Sequence, residues 1–257
     1  MRRNYLPIGV FDSGAGGITV LKACVQVLPC ENFLYYGDTK NSPYGNLSDQ
    51  KITELTFSAV DKLILMGVKA VVIACNTATA AAIRALREKH SEINIIGIEP
   101  AIKPACLYTD GKVLVLLTKA ASRQEKFKSL IEKCGPSKIV VCPLTDLAQK
   151  IEQNIENLNI LKPYILSELS SYQSSEIKAV VLGCTHYIFV KDIIAQAFPG
   201  AVLYDGNLGV ANHLKDLLAK KDLLNDSGKA GTVDFFSSDT KHQLIYQNLW
   251  EKYINNF

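Results

Sequence analysis

The chain has 257 residues, 48% of them hydrophobic and 21% charged, which suits a packed globular core and excludes a disordered chain. That length fits one large domain or two smaller ones sharing a cleft. Its 28 basic and 25 acidic residues leave a net charge of +3, too small and too mixed to imply a nucleic-acid or membrane-surface partner.

Met1-Arg2-Arg3-Asn4-Tyr5-Leu6-Pro7 is basic, but no apolar stretch follows it before Asp12. No signal peptide is therefore expected. The apolar runs at 63–66 and 71–75 are too short to span a bilayer, so the expected setting is soluble and cytoplasmic. Taken in chain order, short apolar runs at 8–11, 33–36, 71–74, 95–98, 113–117, 139–141, 179–182, 202–204 and 233–236 read as strands. Several are apolar throughout, as when both sheet faces are covered. Helical patterns lie between them, including 48–66, 77–89, 123–133, 161–172, 190–198 and 208–220. The alternation predicts an α/β fold with mainly parallel sheets.

Ala70-Val71-Val72-Ile73-Ala74-Cys75-Asn76-Thr77 resembles Ala179-Val180-Val181-Leu182-Gly183-Cys184-Thr185-His186. Each is a buried strand ending in a small residue, then cysteine, then polar groups. Asp12 stands 63 residues before Cys75, and Thr118 stands 66 before Cys184. The repeat predicts two pseudo-symmetric α/β halves facing across a cleft. Residues 1–98 with 207–257 would form one half, and 99–206 the other.

The seven cysteines are odd in number and form no C-x-x-C pair, so no metal site is expected. In a cytosolic setting they should be free thiols. Cys24, Cys30, Cys106, Cys134 and Cys142 read as small buried hydrophobes. Cys75 and Cys184 differ because both follow strand ends, where open parallel sheets bind ligands. Two facing halves would set two thiols across one cleft. Inverting a carbon centre needs such a pair, one group removing a proton from one face while another delivers a proton to the opposite face. A thiol pKa of about 8.5 keeps both protonation states within reach.

Four motifs surround these thiols. Gly9-Val10-Phe11-Asp12-Ser13-Gly14-Ala15-Gly16-Gly17 offers exposed backbone N–H groups at a helix start, an anion cradle. Asp12 could relay a proton, or simply cap the helix. Asn41-Ser42-Pro43-Tyr44-Gly45 taken alone is a surface turn. Asn76 and Thr77 could hold a carboxylate or an ammonium, or merely begin a helix. In Gly183-Cys184-Thr185-His186-Tyr187, His186 can polarise the thiol two residues before it.

Together Phe11-Asp12-Ser13-Gly14-x-Gly16-Gly17, Pro43-Tyr44-Gly45, Cys75-Asn76-Thr77-Ala78 and Gly183-Cys184-Thr185-His186-Tyr187 resemble the bacterial glutamate racemases, with Tyr204-Asp205-Gly206 and Phe235-Phe236-Ser237-Ser238 extending the likeness to the tail. The resemblance implies Cys75 and Cys184 as the acid/base pair, Asp12 assisting Cys75 and His186 assisting Cys184. It implies Ser13, Pro43, Tyr44, Gly45, Asn76, Thr77, Thr118 and Thr185 as substrate-binding residues. It further implies glutamate as substrate, no pyridoxal phosphate or metal cofactor, a role in making D-glutamate for peptidoglycan, and a homodimer. Three positions depart from the family pattern. Ala121 stands where a second threonine is usual, and Ile188-Phe189 where Pro-Leu is usual. Gln149 stands at the apparent match to a carboxylate, with Lys150 or Glu152 aligned under other gap placements. A racemase of another amino acid such as aspartate, or a weakly active or moonlighting binding protein of the same fold, are the alternative readings.

Overall fold

The computed structural model describes residues 3–254. Strand β1 (Ile8–Asp12) is buried along its whole length and leads into helix α1 (Ile18–Val27). Then follow β2 (Phe33–Gly37), α2 (Asp49–Leu65), β3 (Ala70–Ile73), α3 (Asn76–Lys89) and β4 (Asn94–Gly97). The next stretch comprises α4 (Ile102–Tyr108), β5 (Lys112–Leu117), α5 (Lys119–Arg123), α6 (Glu125–Cys134), β6 (Ile139–Pro143), α7 (Leu147–Gln153), α8 (Lys162–Leu169), β7 (Ile177–Leu182), α9 (Lys191–Ala197) and β8 (Val202–Tyr204). The chain ends in α10 (Asn207–Lys220), β9 (Val233–Ser237) and α11 (Lys241–Ile254).

Each expected strand is present to within a residue or two at either end. The pattern at 123–133 is not one helix. Gln124 is extended (φ −69°, ψ 135°), so it ends α5 and starts α6.

The strands form two parallel sheets, ordered β4-β3-β1-β2-β9 and β6-β5-β7-β8. Read in the opposite sense, the second is β8-β7-β5-β6, which repeats the β4-β3-β1-β2 order of the first. This is the structural form of the sequence repeat. Both sheets are covered on both faces, which is why their strands are apolar throughout. In the first sheet, α1, α10 and α11 supply Leu21, Leu214 and Tyr246 to one face, and α2 and α3 supply Leu63 and Leu86 to the other. In the second, α7, α8 and α9 cover one face and α4 and α6 the other. Among the described residues no helix is long and apolar enough to cross a membrane.

In each sheet the connections turn outward in opposite directions from a central strand pair, β1/β3 in one and β5/β7 in the other. Such reversals leave a crevice at the carboxyl ends of the strands. Asp12 and Cys75 follow one pair, and Thr118 and Cys184 follow the other.

Away from these ends lies a buried ion pair. Lys69 Nζ donates to Glu31 Oε2 and to the carbonyls of Asn4 and Leu223, with both side chains at most 2% exposed. Glu31 Oε1 accepts from the Asn225 N–H at 2.8 Å. Removing one charge strands the other in the core, which typically costs about 3–5 kcal/mol. Lys69→Met should lower unfolding stability in urea by about that amount, while Lys69→Met/Glu31→Leu should recover part of it.

Candidate active site

Cys75 and Thr118 each end a strand and begin a helix by the same device. The Cys75 Sγ accepts from Ala78 N–H at 3.4 Å, and Thr118 Oγ1 accepts from Ala121 N–H at 3.1 Å. The thiol is therefore fixed at the N-terminus of α3. Cys184 lies at the head of a 3-10 turn, Thr185–Val190.

The two strand-end pairs meet. Ser13, Pro43, Tyr44, Gly45, Cys75, Asn76, Thr77, Thr118, Cys184, Thr185 and His186 line one pocket, joined by Ala148. Its open volume is only about 10 Å³, about one water molecule's worth. Cys75 and Cys184 are 6% and 7% exposed. Asp12 is fully buried behind the lining. The 43–45 segment, a surface turn by its sequence alone, is folded into the cleft. Tyr44 donates from its hydroxyl to Asp38 Oδ2 at 2.6 Å, and Asn41 Nδ2 donates to the same carboxylate. The Ser42–Pro43 peptide bond is cis.

Hydrogen bonds join the two sets of strand ends. Thr77 and Thr118 share one between hydroxyls at 2.9 Å. Thr185 Oγ1 donates to Asp12 Oδ2 at 2.9 Å, and Ala15 N–H donates to Glu152 Oε1 at 2.6 Å. Close approach at the first glycine-rich turn makes these possible. A Cβ on Gly16 would sit 2.3 Å from Thr185 Oγ1 and 2.8 Å from the His186 backbone nitrogen.

Of the three placements the sequence left open for the carboxylate position, Gln149, Lys150 and Glu152, it is Glu152 that stands beside His186. Gln149 is exposed, whereas Glu152 lies 2.6 Å from His186 Nε2. The signal was helical spacing. Leu147, Ala148 and Ile151 form the buried face of α7, and Glu152 stands four residues after Ala148 on the same side. Ala121 is buried on α5, its N–H donating to Thr118 Oγ1.

The electrostatics of the two thiols differ. Around Cys184, His186 Nδ1 approaches the sulfur at 3.7 Å while Nε2 bonds Glu152. Burial works to lower the imidazole pKa, but its bonds to Cys184 and Glu152 and the charge of Glu152 outweigh burial and hold it well above its usual range. Burial likewise opposes ionisation of Glu152, yet the bond and charge of His186 keep its carboxyl below the usual range. The combination favours an imidazolium beside the Cys184 sulfur. Around Cys75, burial first and then the nearby Asp12 charge push the thiol up to about 12, against the pull of Ala78 N–H and Ser13. Asp12 is itself raised by burial, opposed by the His186 charge and by bonds from Gly14 and Thr185. Asp12 does not touch Cys75 directly. Ser13 lies between them, its Oγ donating to Asp12 Oδ1 at 3.2 Å and lying 3.6 Å from Cys75 Sγ. Burial and the Asp12 charge thus favour the protonated thiol at Cys75, while a charged imidazole stands beside Cys184. The Oδ1 of Asn76, in the pocket lining, is buried without a hydrogen-bond partner, as is the Oγ of Ser42 next to Pro43.

Residues 40–214 match the family described as Asp/Glu/Hydantoin racemase. The glutamate racemase of Clostridium perfringens (strain ATCC 13124) is 45% identical over 235 residues, 90% of either chain. That of Clostridium acetobutylicum (strain ATCC 824) is 44% identical over 248 residues, 93% of this chain and 97% of the relative. Among solved structures, glutamate racemase from Francisella tularensis subsp. tularensis SCHU S4 in complex with D-glutamate superposes with a TM-score of 0.83. It is 30% identical, over 96% of this chain and 94% of that one.

Proposed function

Because this chain belongs to the Asp/Glu/Hydantoin racemase family, we propose that it interconverts L- and D-glutamate by proton transfer between two cysteines on opposite faces of the α-carbon. The observation that carries this reading is the pairing of two thiols, Cys75 and Cys184, on one closed pocket. With L-glutamate bound, the Cys184 thiolate takes the α-proton. The electron pair left behind is delocalised into the α-carboxylate. The Cys75 thiol then delivers its proton to the other face, leaving D-glutamate, a Cys184 thiol and a Cys75 thiolate. From D-glutamate the roles exchange. His186 and Glu152 hold the Cys184 thiolate, while Asp12, through Ser13, attends Cys75. The anion cradle at Ser13–Gly17 and the hydroxyls of Thr77, Thr118 and Thr185 suit carboxylate binding. The unpartnered Asn76 Oδ1 suits an ammonium group. Pro43, Tyr44 and Gly45 close the remaining wall.

The pocket is too narrow to admit glutamate without movement. The bonds that cross between the halves, Thr77–Thr118, Thr185–Asp12 and Ala15–Glu152, are the ones that entry must break. We assign residues 1–98 with 207–257 to one moving half and 99–206 to the other. The product fits a cytoplasmic supply of D-glutamate for peptidoglycan, made by a homodimer without cofactor. The test is circular dichroism of the purified protein with L- or D-glutamate after dialysis against a chelator and treatment with hydroxylamine. Decay of the signal to zero from both sides supports the reading. No decay, or decay only after metal or pyridoxal phosphate is added, refutes it.

The His186–Glu152 pair makes a second prediction. Glu152→Gln removes the anion that holds His186 protonated, so the imidazolium is lost at lower pH. The alkaline limb of kcat/KM should shift down, with a loss of about tenfold at neutral pH, since one pKa unit is a factor of ten in population. The pH–rate profile of the variant checks this.

A further inference from the structure

Tyr35, at the centre of β2, is fully buried and stands outside the pocket lining. Its hydroxyl donates to the Gly14 carbonyl at 2.5 Å. That carbonyl and the Ala15 N–H belong to one peptide group, and the Ala15 N–H donates to Glu152 Oε1 at 2.6 Å. The same oxygen meets His186 Nε2 at 2.6 Å, and His186 Nδ1 lies 3.7 Å from the Cys184 sulfur. A line of polar contacts therefore runs from a strand of the first sheet to the thiol that follows the second. Glycine at 14 permits the approach, since a Cβ there would sit 1.9 Å from Glu152 Oε1. The Tyr35 ring is held by Tyr246, edge-on with centroids 5.3 Å apart, and by Phe235 at 5.8 Å.

We propose that Tyr35 is a positioning residue for the Cys184 side of the site, its hydroxyl orienting and polarising the Gly14–Ala15 peptide so that the Ala15 N–H holds the Glu152 carboxylate against His186. Linked hydrogen bonds polarise one another, and the effect is stronger where water is excluded. Burial and then the Asp12 charge hold the Tyr35 phenol well above its usual range, so it stays a donor at every working pH.

The titratable groups facing Glu152 are His186 on the turn after β7, His242 on α11, Asp12 at the end of β1, and the phenols of Tyr35 and Tyr246. Burial disfavours the Glu152 carboxylate, while His186, then the Ala15 N–H, then the His242 charge favour it. Weakening the Ala15 bond therefore moves the Glu152 pKa up, toward its usual range. A protonated Glu152 no longer holds His186 charged, so the acid limb of kcat/KM should move up with it. The alkaline limb should stay, because Glu152 is ionised there with or without Tyr35. The effect on turnover rests on the proposed racemase activity; the effect on Glu152 does not.

Tyr35→Phe removes the hydroxyl and keeps the ring. Carbon-13 NMR of protein labelled at the glutamate carboxyl carbons, with Glu152 assigned by its loss in Glu152→Gln, follows the carboxyl directly. Its titration midpoint should lie about half a unit higher in Tyr35→Phe, roughly a threefold change in protonation. The acid limb of the pH–rate profile should rise by the same amount. Phe235→Leu, which removes a ring packed on Tyr35 but leaves the hydroxyl, should lower the unfolding temperature without moving either midpoint. In the Glu152→Gln background, Tyr35→Phe should cost no further activity, as expected of two residues acting through one contact. An unmoved Glu152 midpoint in Tyr35→Phe, an equal shift in Phe235→Leu, or the same loss of activity with and without Glu152 would overturn the proposal. Failure of the unmodified protein to racemise glutamate would instead refute the reading beneath it, and the carboxyl titration would still decide whether Tyr35 holds Glu152.

Discussion

Cys75→Ser and Cys184→Ser are each expected to lower kcat/KM for glutamate by about 10²–10⁴-fold, the usual value of a positioned acid or base. A serine hydroxyl is a far weaker acid than a thiol, so it cannot supply the base at neutral pH. It also cannot be activated in place, because neither thiol has a free general base within reach. The nitrogen nearest Cys184 belongs to an imidazole held protonated, and the groups nearest Cys75 are Ser13 and the Ala78 N–H. The loss must be equal from both enantiomers. L- and D-glutamate are mirror images of equal free energy in water, so the equilibrium constant is one, and kcat/KM is the same in both directions for any variant. Polarimetric rates from each enantiomer check both points. Either variant retaining more than about a tenth of the activity would fall well outside the expected range.

That equality hides the division of labour, which a reaction needing only one base exposes. A glutamate carrying a leaving group on Cβ loses the α-proton to one thiol and expels the leaving group, and no second thiol returns a proton. Cys184→Ser should then still eliminate from the D-enantiomer, using Cys75, and Cys75→Ser from the L-enantiomer, using Cys184. Each variant should prefer its own enantiomer by about 10²-fold or more, the cost of the missing base. Equal elimination of both enantiomers by both variants at the unmodified rate would place the base elsewhere in the cleft.

The α/β alternation was legible because buried parallel strands are apolar throughout, and the glycine-rich turn and Cys75 could be placed past strand ends on that basis alone. The internal repeat carried more. Matching cysteines at similar distances from Asp12 and Thr118 predicted two similar α/β halves, and the strand orders β4-β3-β1-β2 and β8-β7-β5-β6 repeat each other. Four features were not legible, each for a physical reason. The break at Gln124 carries no glycine or proline to announce it; a single extended residue suffices. Glu152 could not be singled out from Gln149 and Lys150, because alignment across a gap in α7 cannot see which side of the helix faces the cleft, whereas the burial of Ala148 and Ile151 does. The Tyr44 turn reads as surface because its burial depends on Asp38, which receives both the Tyr44 hydroxyl and the Asn41 amide. Nothing local in the sequence signals that contact. The Lys69–Glu31 pair was likewise hidden, since two charged residues 38 positions apart meet only once the sheet has formed.

The central claim is that two different groups handle the proton on the two faces of the substrate. Racemisation of L-glutamate in deuterium oxide, stopped at low conversion and resolved into enantiomers, tests it directly. The Cys184 thiolate removes protium, and a Cys75 thiol already exchanged with solvent delivers deuterium. The D-glutamate formed should therefore carry deuterium at the α-carbon, while the recovered L-glutamate keeps its protium. D-glutamate that retains protium, or recovered L-glutamate that gains deuterium as fast as product forms, would show one group serving both faces and contradict the account.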